Sequence, residues 1–120
     1  MKYLIMMFGD QASMLERRST EWVSEMIRFM HGINAELTAS GELVSAEGLV
    51  DATQAKKVDF VAGEVVITDG PFAESKESLA GYWIVDVESQ ARALEIASTV
   101  VAFTQGPIEV RQIGDAPPEL

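Results

Sequence analysis

The stretch LAGYWIVDVES, Leu79 to Ser89, decides the fold. Tyr82, Trp83, Ile84, Val85 and Val87 crowd it with the aromatic and β-branched side chains that suit a pleated strand. Ser89 then offers an N-cap hydroxyl, and Ala91, Leu94, Ala97 and Val101 recur behind it at helical spacing. A last strand is expected over Pro107 to Ile113. Strand, helix, strand in that order is the second half of a βαββαβ unit.

The first half lies upstream. Lys2 to Phe8 is short, apolar at both parities and stopped by Gly9-Asp10, so it reads as a strand in the middle of a sheet. From Thr20 to Ser40 the residues Val23, Met26, Ile27, Met30, Ile33 and Leu37 form one apolar helical stripe. Ser19 or Thr20 is the N-cap, Glu21 complements the helix dipole, and Gly41 ends the helix. Glu42 to Val50 is a strand interrupted near Glu47-Gly48.

The segment KKVDFVAGEVVIT, Lys56 to Thr68, is a hairpin about Ala62-Gly63. That register puts Val58, Phe60, Val65 and Ile67 on one side, and Lys57, Asp59, Glu64 and Thr68 on the other. The fold class predicted is α+β: a ferredoxin-like βαββαβ unit with a hairpin insert, its antiparallel sheet carrying two helices on one face. Residues 1–113 make a single domain, and GDAPPEL, residues 114–120, is a loose tail.

Two helices cover one sheet face and leave the other bare. Both parities of the main strands are apolar: Leu4, Met6 and Phe8 against Tyr3, Ile5 and Met7, and Tyr82 and Ile84 against Trp83 and Val85. A bare apolar face of that size does not stay wet on a monomer. A second copy packed sheet to sheet would cover it, so a homodimer is expected.

Composition narrows the function classes. In 120 residues, 48% are apolar and 23% charged, which is globular rather than disordered. With no cysteine, neither disulfides nor thiolate metal sites are available, and no motif calls for a cofactor. The net charge of −10 and scattered basic residues argue against nucleic acid and anionic membranes as partners. No apolar run approaches the ~18 residues of a membrane span. The apolar run in MKYLIMMFGD is too short for a signal peptide, so a cytoplasmic protein is expected. His31 lies in the first helix beside the stripe, where an exposed histidine needs no role.

Two groups could carry chemistry. Asp69-Gly70-Pro71-Phe72 supplies turn parts: a carboxylate that bonds nearby N–H groups, a permissive glycine, a fixed φ, and a Phe72 ring to anchor in the core. Half-buried beside Trp83 or Tyr3, Asp69 would hold a proton near neutral pH and act as a general acid or base. Lys76, further along the loop, could neutralise an anionic ligand. On the final strand Glu109 and Arg111 point the same way, opposite Ile108 and Val110. If the latter pair faces the helices, the former faces the dimer seam, where Arg111 suits an anionic small molecule through a two-pronged contact.

These segments resemble a known family. MKYLIMMFGD, TDGPFAESKESLAGYWIVDVES and IEVRQI are similar to the YCII-related proteins, in the subgroup named for its DGPF motif. The resemblance implies a ferredoxin-like fold, a dimeric α/β barrel, bacterial origin and often a gene beside an extracytoplasmic-function sigma factor. Some wider relatives carry a histidine–aspartate pair proposed as catalytic, and one is a dehydrochlorinase. Asp69 matches the motif's aspartate, while no histidine stands at the corresponding place. Three readings follow. The first is a dimer binding a small molecule in an intersubunit cleft lined by Tyr3, Asp69, Trp83, Glu109 and Arg111. The second is a lyase or isomerase with Asp69 as base, and the third an accessory of a sigma factor. No metal site is expected.

Overall fold

The computed structural model describes residues 1–9, 14, 16–70 and 78–117. Its elements are β1 (Lys2–Phe8), α1 (Thr20–Ala39), β2 (Leu43–Gly48), a 3-10 turn (Ala52–Gln54), β3 (Lys56–Val61), β4 (Glu64–Asp69), β5 (Leu79–Asp86), α2 (Gln90–Thr104) and β6 (Ile108–Gln112). A four-stranded sheet has the order β2-β5-β1-β6, all neighbours antiparallel, and β3-β4 form a separate two-stranded sheet. With the hairpin set aside, that order is the ferredoxin-like one.

Local chemistry sets the helix ends. The Ser19 hydroxyl accepts from the Trp22 amide at 3.1 Å and caps α1. At the other end Gly41 takes φ +79, the Glu42 amide donates to the Leu37 carbonyl, and the Gly41 amide to that of Thr38. Those two bonds make a Schellman motif, which a glycine at this position allows. Ser89 caps α2 through the Arg92 amide at 3.2 Å.

The core lies between the helices and one sheet face. Tyr3, Ile5, Trp83, Val85 and Val87 meet Ile33 and Leu37 of α1 and Ala93, Ile96, Ala97 and Val100 of α2, all buried. Ile5, Val85 and Val100 are sealed completely, and each such side chain contributes roughly 1.5–3 kcal/mol on burial. The Trp83 indole N–H donates to the Asn34 side-chain oxygen at 2.7 Å, satisfying the one polar atom the ring brings inside.

Two expected stripes shift. On α2 the buried row is Ala93, Ile96, Ala97 and Val100, while Leu94 and Val101 stand exposed. The helix carries two interleaved apolar rows, and small Ala93 and Ala97 let the helix lie close on the sheet. On α1 Ile27 turns outward and Phe29 packs inward instead. The N-terminal half of α1 meets α2: Phe29 stacks on Phe103 at 4.5 Å between ring centroids, with Trp22 beside it at 5.7 Å.

Strand positions 81 and 48 are paired glycines. A Cβ on Gly81 would stand 2.8 Å from the Glu47 carbonyl oxygen, so only glycine lets β2 come this close to β5.

Candidate functional site

Register assigns each sheet residue to a face. Tyr3 pairs with Val85, Ile5 with Trp83 and Met7 with Gly81, all toward the helices. The intervening pairs, Leu4 with Ile84 and Met6 with Tyr82, therefore point the other way. On β6 Ile108 and Val110 pack on the core, while Glu109 lies opposite Met6 and Arg111 opposite Leu4. On β2 Glu47 lies opposite Tyr82 and Ser45 opposite Ile84. Two rows thus cross the uncovered face: Glu47, Tyr82, Met6, Glu109 and Ser45, Ile84, Leu4, Arg111.

This face is an apolar strip with polar borders. Leu4, Met6, Phe8, Tyr82 and Ile84 are only half-buried, on the side of the sheet away from α1 and α2. At the β6 border Arg111 donates to Glu109 at 2.8 Å, both side chains largely in water. An exposed pair of this kind contributes about 0–1 kcal/mol to stability. A guanidinium has five donors, so one bond to Glu109 leaves it able to meet an anion with a two-pronged contact.

The expected site residues do not all come together. Glu109 and Arg111 share the open face as the strand spacing predicts. Tyr3 and Trp83 lie behind the sheet, 2% and 5% exposed, because alternation sends them into the helix-side core. Asp69 ends β4 in the separate hairpin, its side chain 86% exposed, in an ion pair with Lys56 across the hairpin base. The half-buried setting expected for it beside Trp83 or Tyr3 is therefore absent. The turn follows expectation in part: Gly70 adopts φ +92 and its amide donates to the Ala55 carbonyl at 2.8 Å. Pro71, Phe72 and Lys76 lie outside the described residues. His31 is exposed on α1.

Tyr82 is the face residue that sequence reading passed over in favour of its neighbour Trp83. Strand parity alone separates the two, and the signal for choosing sides was Glu109 and Arg111, whose parity with Tyr82 needs the register of three strands.

A second polar group sits at the rim of the helix layer. Arg92 grips Glu42 with Nε and Nη2, both at 2.9 Å, and also bonds Glu95. The Ser40 hydroxyl donates to Glu42 at 2.8 Å. The Arg92 and Ser40 bonds hold the Glu42 carboxyl down at about 2, outweighing its burial, and the Arg92 guanidinium is raised in turn. The shallow cleft here is bordered by Asp86 and Glu88, and its single arginine is already committed. It staples the end of α1 to the start of α2. Among the described residues no cluster of histidine and carboxylate ligands could hold a metal ion, and no helix is long and apolar enough to cross a membrane.

A βαββαβ chain with one helix-covered and one open sheet face is a ferredoxin-like α+β protein. The YCII-related domain matches residues 1–116, and the chain belongs to the YCII-related family. A protein of Rhizobium meliloti (strain 1021), described as uncharacterised, is 32% identical to it over 97 residues, 81% of this chain and 77% of that protein.

Proposed function

We propose that two copies of this chain pair through their open sheet faces and bind a small anionic molecule in the cleft between them. The observation that supports this reading is the open face itself: an apolar strip of Leu4, Met6, Tyr82 and Ile84 with an arginine at its border. Apolar walls with a few convergent polar groups are the usual make-up of a ligand cleft. Arg111 is the anion contact, Glu109 steadies it, and Tyr82 offers a hydroxyl within an apolar wall. Asp69, on the hairpin, stays a candidate lining residue only through the second copy. The Asp69-Gly70-Pro71-Phe72 stretch supports placing the chain in the DGPF subgroup, and the symmetric pair in this reading is a dimeric α/β barrel.

Sedimentation and thermal-shift measurements test this. The protein at micromolar concentration is expected at twice the chain mass. Inorganic phosphate, dicarboxylates and aromatic carboxylates serve as probes. At least one should raise Tm, and Arg111→Ala should abolish that rise while the dimer persists. A stably folded monomer, or binding indifferent to Arg111→Ala, refutes the reading.

A further inference from the structure

The β3–β4 hairpin presents a second apolar face that the described residues leave uncovered. Val58 pairs with Ile67 and Phe60 with Val65, and these side chains are 59%, 67%, 69% and 66% exposed in that order. The ion-paired Lys56 and Asp69 close the same face at its base, two residues along each strand. The opposite face is mixed: Lys57, Asp59, Glu64 and Thr68 share it with Val61 and Val66, and there Lys57 and Val66 are half-buried. Among the described residues the hairpin has extensive contacts only between its own strands. A lone two-stranded hairpin is marginal in water, and one with four large apolar groups on a single side is built to lie against something.

The occupant follows from shape, area and charge. The radius of gyration is 16.6 Å, against about 14 Å for a compact chain of this length. The molecule is flat and spread, its thinnest extent only 18 Å. From strand spacing and rise, the open sheet face covers roughly 400 Å² and the hairpin face roughly 200 Å². A stable interface needs about 800 Å² from each partner. The sheet face alone falls well short. Both faces together supply roughly 600 Å² before pleating adds to it, about three quarters of that need, and two-fold pairing uses both on each copy. The hairpin strands, about 20 Å long, also match the length of the sheet face. Charge points the same way. Two chains of net charge −10 repel, yet the hairpin face balances Lys56 against Asp69, and the β6 border balances Arg111 against Glu109, with Glu47 a further carboxylate at the β2 border.

We propose that the β3–β4 hairpin is an exchanged arm, docking its Val58, Phe60, Val65 and Ile67 face on the open sheet face of a second copy. Docking carries Asp69 and Lys56 to the partner's cleft, so each binding site is completed by the other chain. The proposal rests on the open sheet face being the side that pairs.

The chain has no cysteine, which makes cross-linking clean. A tagged Phe60→Cys chain is mixed with an untagged Tyr82→Cys chain and oxidised. A disulfide between tagged and untagged chains is expected, since such a link can form only between copies. In parallel, Phe60→Glu with Ile67→Glu should weaken dimerisation at least a hundredfold in sedimentation, with circular dichroism unchanged. Asp59→Ser, at an exposed position on the opposite face, should change it by less than about twofold. A dimer of undiminished strength in the doubly charged variant overturns the arm and leaves the paired sheet faces standing. So does a Phe60→Cys, Tyr82→Cys double variant that links only within one chain. A wild-type monomer removes the arm and the reading beneath it.

Discussion

Glu42→Gln removes the charge from the clamp that ties the end of α1 to the start of α2. Wild-type Glu42 receives two Arg92 bonds at 2.9 Å and one from Ser40 at 2.8 Å. Those bonds hold its carboxyl down at about 2, against an ordinary value of 4.5. At about 1.4 kcal/mol per unit, that depression sets a ceiling of about 3 kcal/mol. The cleft opens to water and the Arg92 side chain is 36% exposed, so screening reduces the expected cost to roughly 1–2 kcal/mol. The sign fixes the pH window. A carboxyl whose folded pKa is depressed stabilises fully above its unfolded value and loses that contribution as pH falls through the folded one. Urea unfolding at pH 7 should therefore show Glu42→Gln less stable by that amount. The gap should close as pH drops from about 4.5 to about 2. A double-mutant cycle with Arg92→Met isolates the pair from other titrating acids. A gap that stays constant down to pH 2, or zero coupling at pH 7, would refute the reasoning.

Three further changes probe the frame. Gly81→Ala drives a Cβ into the Glu47 carbonyl and should cost about 1–3 kcal/mol by pushing β2 off the sheet edge, read as a lower urea midpoint. Trp83→Phe deletes the bond to Asn34 and opens space in the core, with an expected loss of about 1–3 kcal/mol in the same assay. Ala62 holds φ +52 in the hairpin turn, where asparagine is far better tolerated. Ala62→Asn should slow amide exchange in β3 and β4 severalfold while β1 and β5 amides stay as they are. Equal slowing throughout would mean that the hairpin does not open on its own.

Element identity was legible because it is a short-range property. Caps at Ser19 and Ser89, the Gly41 stop and the Ala62-Gly63 turn all act within a few residues, and each stands where the sequence places it. The hairpin register was readable too, since a two-residue turn fixes every pair above it. Facing was harder. Leu94 and Val101 satisfy helical spacing as well as Ile96 and Val100 do, and only docking on the sheet selects between them. The α1 stripe drifted for the same reason, Phe29 turning in to meet Phe103 of α2.

The candidate site divides along the same line. Glu109 and Arg111 were paired by parity on one strand, a relation that holds whatever the strand packs against. Tyr3 and Trp83 sit on strands apolar at both parities, so nothing local tells inside from outside. Asp69 depends on where a whole hairpin goes. Sequence by itself determined the strands, the helices, their capped ends at Ser19, Gly41 and Ser89 and which residues of a strand share a side, because turns and alternation are written in neighbouring positions. Tertiary structure alone decided which side lies under the helices, because that choice is made by contacts between segments far apart in the chain.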